Sequence, residues 1–243
     1  MVALYDKIGV GYSNLRKPDP RIANLIHTAL GDAETVLNVG AGTGSYEPAE
    51  RQVTALEPSA EMIRQRPAGS AKAYQGFAED LPFADDAFDA AMAVLTVHHW
   101  ADLEKGLREM RRVAKYRLVI LTFDPEAHYF WLADYIPEIV ELDQPIMPKM
   151  MEYGRILGDV RIEDIPVPHD CTDGFLGAYW RRPHAYLEAK VRASISTFAK
   201  LDNAPDQLTR LAQDLDSGAW NRRYGHLMEE NSLDAGYRLV VAD

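Results

Sequence analysis

The chain contains one cysteine, Cys171. An intrachain disulfide is therefore impossible, which suits a reducing compartment. Long apolar runs are missing as well. The longest nearly continuous ones, 90–97 and 118–123, fall far short of the roughly 20 residues that a membrane-spanning helix needs. The first residues carry no basic cluster ahead of an apolar stretch, so no export signal is expected. Positive charge is scarce: 26 Lys and Arg stand against 37 Asp and Glu, a formal net charge of −11. Nucleic-acid affinity rests largely on cationic contacts to phosphate. Arg181-Arg182 and Arg222-Arg223 do not extend into a basic stripe, so no nucleic-acid partner is expected. Ligand spacing for a metal is absent too. In His169-Asp170-Cys171 at most His169 and Cys171 share a face, and no second pair follows at metal spacing. The expectation is a soluble cytoplasmic protein with no metal, membrane or nucleic-acid partner. Neither repeats nor low-complexity segments occur.

What is present is ordinary globular material: 243 residues, 47% apolar and 26% charged. A globule of this mass buries about 72% of the surface of its unfolded chain, enough for a core without staples. Lys17-Pro-Asp-Pro20 opens a helix, with Asp19 as N-cap and Pro20 in the first helical position. Ile22, Leu25, Ile26, Ala29 and Leu30 then share one face. Strands are predicted over 35–39, 51–57, 71–75, 88–97 and 118–122. Helices are predicted from Ser59 to about Arg66 and over 102–115. The nearly unbroken apolar run after Asp85-Asp86 suits a central parallel strand covered on both faces. This alternation implies a doubly wound α/β sheet with right-handed crossovers.

The second half differs. Residues 125–160 are aromatic and Met-rich, and Pro137, Pro145 and Pro148 interrupt them, so short helices are expected there. Longer helices are predicted over 183–201 (Leu187, Val191, Ile195, Phe198) and 205–217 (Leu208, Leu211, Leu215). Segments 161–167 and 237–241 are expected to close the sheet. The helices should then cap the carboxyl ends of the strands, where open α/β sheets bind ligands. Residues 1–124 thus form a cofactor-binding half. Residues 125–243 form a cap and acceptor region with the closing strands, in a single domain overall.

The informative stretch is Gly40-Ala41-Gly42-Thr43-Gly44, directly after an apolar strand. Glycines let the backbone approach a ligand closely, and amides at such a turn can bind an anion. Glu57 ends the next strand, where a carboxylate can accept from vicinal ribose hydroxyls. An adenosine-containing cofactor is implied. The dinucleotide fingerprint needs its third glycine one residue later than Gly44.

The G-x-G-x-G form followed by a distal acid resembles the first two motifs of class I S-adenosylmethionine-dependent methyltransferases. Glu57-Pro58-Ser-Ala-Glu-Met62 is similar to the family's ribose-binding acid and adenine-packing segment. Gly76-Phe77-Ala78-Glu79-Asp80 is similar to its adenine loop, and 88–94 to its fourth strand. The likeness covers residues 1–124 and is greatest to the small-molecule branch of ubiquinone/menaquinone-type and trans-aconitate-type enzymes. It implies a Rossmann-like seven-stranded sheet with a helical cap, and S-adenosyl-L-methionine as cofactor, leaving as S-adenosyl-L-homocysteine. The implied activity is SN2 methyl transfer to a small-molecule acceptor. Two rivals share the fold: an RNA or protein methyltransferase, and a cofactor-binding protein with other chemistry. Two departures from the family pattern stand out. Phe77 replaces an Asp that contacts adenine, and the Pro-Gly-Gly turn before the fifth strand is missing.

The resemblance also distributes roles. Tyr12 and Arg16 would reach the methionine carboxylate. Gly40, Ala41, Gly42, Thr43, Gly44, Glu57, Pro58, Met62, Ala78 and Glu79 would hold the nucleoside. Leu95 and Thr96 would take the ammonium through backbone. His98 and His99, at the end of the fourth strand, are the candidate general bases, since imidazole titrates near working pH. Trp100, His128, Tyr129, Trp131, Tyr179, Trp180 and Arg182 are the candidate acceptor-pocket residues. Arg182 is expected to pair with an acidic acceptor or with Asp173.

Overall fold

The computed structural model describes residues 16–127, 129–201 and 204–243. Its centre is a seven-stranded sheet in the order β3-β2-β1-β4-β5-β9-β6. The strands are β1 (Thr35–Val39), β2 (Gln52–Glu57), β3 (Lys72–Gln75), β4 (Phe88–Val94), β5 (Ala114–Phe123), β6 (Val160–Asp164) and β9 (Tyr237–Ala242). The first five pair in parallel, and β9 lies antiparallel between β5 and β6. A short β7 (Val167–Pro168) pairs with β8 (Ser232–Leu233) outside this sheet.

The period-two alternation of the strands sorts the core into two layers. Val36, Ala90, Met92, Val119, Leu121 and Leu239 face one side. There they meet Ile22 and Ile26 of the helix Pro20–Ala29 and the aromatic residues of the second half. Leu37, Leu56, Ala91, Ala93, Leu118 and Ile120 face the other side, against Leu107, Met110 and Tyr153. Asp19 caps the first helix as expected, its carboxylate accepting from the Arg21 amide at 3.0 Å.

Three elements differ from expectation. β5 begins at Ala114, because the helix Leu103–Val113 runs straight into it without a turn. An irregularity in register between Phe88 and Ala90 absorbs the mismatch against β4. β4 ends at Val94, because Leu95 takes φ +51°, a left-handed conformation that no strand can continue through. The helix expected over 183–201 is broken into 3-10 turns Pro183–Leu187 and Phe198–Lys200 around a short helix, Ala189–Arg192. Hydroxyls cluster at the later break, and that of Ser194 competes with the helical ladder. Ser194 donates to the Val191 carbonyl, and Thr197 donates to Asp143.

The chain runs from β1 outward to β3, then returns to β4 on the other side of β1. The crevice between the carboxyl ends of β1 and β4 is therefore the topological switch point.

Candidate active site

A cleft of about 660 Å³ opens at that switch point. Gly40, Ala41, Gly42 and Thr43 follow β1 into it, and Leu95, Thr96, His98, His99 and Trp100 follow β4. Gly40 holds φ +69°, and an added Cβ would lie 2.1 Å from Thr96 Oγ1. The two loops thus approach as closely as backbone permits. Gly40→Ala is expected to lower unfolding stability by about 1–3 kcal/mol, through strain and displacement of Thr96. Urea denaturation measures it; an unchanged midpoint would show that the loops can part freely.

Glu57 sits buried at the end of β2. Its Oε2 accepts from the Gly42 amide at 2.8 Å and its Oε1 from the Ser59 amide at 2.9 Å. A carboxylate is an acceptor with about four lone-pair sites, the chemistry that a vicinal diol calls for. The Gly40 and Ala41 amides both donate to the Leu56 carbonyl, at 2.8 and 3.0 Å. The Gly44 amide donates to Ala41 O at 2.9 Å. These amides, expected to grip an anion, are engaged within the protein, so the turn mainly supplies close approach. Gly44 lies off the cleft, against the Glu47–Arg66 ion pair. Asn38 donates to Glu47 at 3.0 Å. Its buried Oδ1 has no hydrogen-bond partner among the described residues, although Asn38 lines the cleft.

Pro58, Met62, Phe77, Ala78 and Glu79 form the wall beyond Glu57. Phe77 is 45% exposed, so it presents a hydrophobic edge where the family pattern has an acid. Glu79 is turned to the backbone, accepting from the Ala101 and Asp102 amides at 2.7 and 3.2 Å. Trp100 lies against Gly106, where an added Cβ would come within 2.5 Å of its ring. A buried carboxylate, an orphaned amide oxygen and an apolar wall fit an adenosine-containing cofactor.

His98 and His99 line the cleft with ring centroids 3.9 Å apart. Burial lowers both: His98 falls well below the ordinary imidazole value, with His99, Lys200 and Arg16 adding to the effect. His99 falls to about 4, through burial and Lys200. Both are uncharged at neutral pH. Their basicity is far weaker than the sequence expectation of a group titrating near 7, because desolvation penalises imidazolium.

Arg16 also lines the cleft. Its Nε donates to Asp173 Oδ1 at 2.7 Å, and Tyr46 Oη donates to Asp173 Oδ2 at 2.8 Å. Arg16, not Arg182, is thus the partner of Asp173. Arg182 instead donates to the Cys171 and Ala178 carbonyls and stacks on Tyr179. Tyr179 and Arg182 line a separate outer cleft. Trp131 and Trp180 are core residues. The Trp131 indole donates to Trp180 O at 2.7 Å and the Trp180 indole to Val167 O at 3.0 Å. Tyr129 packs on Phe123, ring centroids 5.1 Å apart. Tyr12 and His128 lie outside the described residues. The Cys171 thiol is buried, which pushes it up to about 12.

A small chamber of about 70 Å³ adjoins the cleft and shares Arg16, Leu95 and His98 with it. Phe123, Asp143, Met147, Phe175, Thr197 and Tyr237 are among its walls. Sequence reasoning missed them, because they come from segments distant along the chain. One signal was available: Ser194, Ser196 and Thr197 interrupt an otherwise apolar helical face.

The sequence of residues 37–118 matches a family described as a methyltransferase domain. A solved structure of a putative methyltransferase from an antibiotic biosynthesis pathway of Anabaena variabilis ATCC 29413 is 35% identical. It superposes with a TM-score of 0.88, over 94% of this chain and 99% of that one. The chloroplastic 2-methyl-6-phytyl-1,4-hydroquinone methyltransferase 1 of Oryza sativa is 27% identical over 73% of this chain and 56% of its own length. The ubiquinone/menaquinone biosynthesis C-methyltransferase of Geotalea daltonii is 33% identical over 41% of this chain and 45% of its own. The chain spans about half the length of the curated relatives it matches.

Proposed function

The chain belongs to the S-adenosylmethionine-dependent methyltransferases, and on that premise we propose that it methylates a small uncharged organic acceptor. The observation that carries this reading is the continuity of the Glu57 cleft with a chamber walled by Phe123, Phe175 and Tyr237. S-adenosylmethionine, when bound, supplies an electrophilic methyl group on a sulfonium. Glu57 would accept from its ribose hydroxyls, Met62 and Ala78 would flank its adenine, and Arg16 would face its amino-acid end. The rings at the junction of cleft and chamber would exclude water and help hold the acceptor in line, which is most of what such a displacement needs. His98 and His99 stay neutral and so add no positive charge beside a cationic donor.

The relatives named for a hydroquinone and for quinone biosynthesis support a small acceptor. So does the net charge of −11, which repels a polyanion. Among the described residues no helix is long and apolar enough to cross a membrane. The test is calorimetry with S-adenosylhomocysteine and with NAD, then a metabolite screen with isotopically labelled S-adenosylmethionine read by mass spectrometry. Binding of S-adenosylhomocysteine alone and a labelled small-molecule product are expected. Binding of NAD alone, or label found only in RNA or protein, would overturn the reading. His99→Asn is expected to lower kcat by less than about tenfold and to leave the pH profile unchanged. A general base would cost ~10²-fold or more; a loss of that size would restore His99 as the base.

A further inference from the structure

The chamber beside the cleft holds one acid among rings. Asp143 ends the helix Glu138–Asp143 and is 5% exposed. Among the described residues its side-chain hydrogen-bond donor is Thr197 Oγ1, 3.1 and 3.0 Å from its two oxygens. One hydroxyl hydrogen cannot fill the lone pairs of a carboxylate. A buried acceptor left so under-supplied is costly unless a ligand completes it. Nearby, the Tyr129 hydroxyl is buried without a partner among the described residues.

The charges around Asp143 narrow the ligand. Lys200 acts on it from the Phe198–Lys200 turn, while Arg16 and His98 stand where the chamber meets the cleft. Tyr129 and Tyr237 also feel its charge. A cationic head group would meet Arg16, Lys200 and the sulfonium, and an anionic one would meet Asp143. A neutral O–H donor meets neither penalty. The Tyr237 ring there contacts both Phe123 and Phe175, with centroids 5.5 and 4.6 Å away, and these rings favour a flat partner.

We propose that an uncharged hydroxylated aromatic ring lies in the cleft at the mouth of this chamber, that its O–H reaches in to donate to Asp143, and that Asp143 takes that proton as the oxygen is methylated. The O–H electron pair stays on the acceptor oxygen, and the O–C bond forms as the S–C bond breaks. The proton ends on the Asp143 carboxylate, and S-adenosylhomocysteine leaves uncharged. Burial supports the role by raising Asp143 to about 6, close to working pH, against the opposing pull of Thr197 and Lys200. The transfer step rests on the methyltransferase reading above; the binding step does not.

The experiment titrates catechol, anisole, benzylamine and benzoate into the full chain, with and without S-adenosylhomocysteine, from pH 5 to 8. Catechol is expected to bind at least ~tenfold tighter than the other three. Its affinity should rise as pH passes about 6. Asp143→Leu is expected to lose at least ~tenfold in catechol affinity while S-adenosylhomocysteine affinity stays the same. Should that variant not fold, Asp143→Asn keeps the Thr197 bond, and its catechol affinity should be weaker and flat with pH. With catechol as acceptor, Asp143→Asn is expected to lower kcat by ~10²-fold. Equal catechol affinity in wild type and variant, or preference for benzylamine, benzoate or anisole, overturns the proposal. If S-adenosylhomocysteine fails to bind wild type, the methyltransferase reading falls, and catechol binding still decides the chamber.

Discussion

Glu57→Ala is expected to weaken S-adenosylhomocysteine binding by ~10²- to 10³-fold. Hydrogen bonds to a charged group contribute about 1.5–3 kcal/mol each, and about 1.4 kcal/mol is a factor of ten in affinity. Two ribose hydroxyls donating to one buried carboxylate account for a loss of that order. A second effect adds to it. Glu57 also holds the Gly42 and Ser59 amides at 2.8 and 2.9 Å, so its removal loosens the glycine turn. Glu57→Gln separates the two, because an amide oxygen still accepts while the charge is gone; about a tenfold loss is expected there. Calorimetry at fixed salt reads both. Unchanged affinity in the alanine variant would mean that the nucleoside does not lie at the end of β2.

Asp173→Ala is expected to cost about 3–5 kcal/mol of unfolding free energy, the range for breaking a buried ion pair by removing one partner. Asp173 has no exposed side-chain surface. It accepts from Arg16 Nε at 2.7 Å, from Tyr46 Oη at 2.8 Å and from the Gly174 amide at 2.6 Å. Truncation takes this carboxylate away from a guanidinium that is only 12% exposed and from a phenol that donates to it. Tyr46 also holds φ +67°, a strained conformation that persists only while its surroundings enforce it. Urea denaturation should show the loss, with a Tm lower by about 10 °C. Adding Arg16→Met to Asp173→Ala should recover part of it, since a largely buried charge is then gone with its carboxylate. A midpoint unchanged by Asp173→Ala would show that Arg16 and Tyr46 find other partners readily.

Glu57 lines the cleft, and Asp173 holds Arg16, which lines it too, yet the two acids differ in how readable they were. Glu57 follows a glycine turn at family spacing, so its place came from residues close along the chain. Asp173 joins Arg16 and Tyr46 across more than half the sequence, and no local pattern marks that union. Arg182, nearer along the chain, was the more obvious partner, and it points at carbonyls instead. The histidines show the same limit in another form. Their position after β4 was legible, but their basicity depends on how deeply the fold desolvates them.

The linear order of residues was enough to determine the helix capped by Asp19, the glycine turn, the five parallel strands and the placement of Glu57 beside that turn. Each of these depends on neighbours a few positions away, through backbone geometry and alternating burial. Tertiary structure alone decided that Trp131 and Trp180 pack in the core, and that Phe123, Asp143 and Thr197 meet around one chamber. Desolvation and long-range pairing are properties of the assembled volume, and no short stretch of sequence contains them.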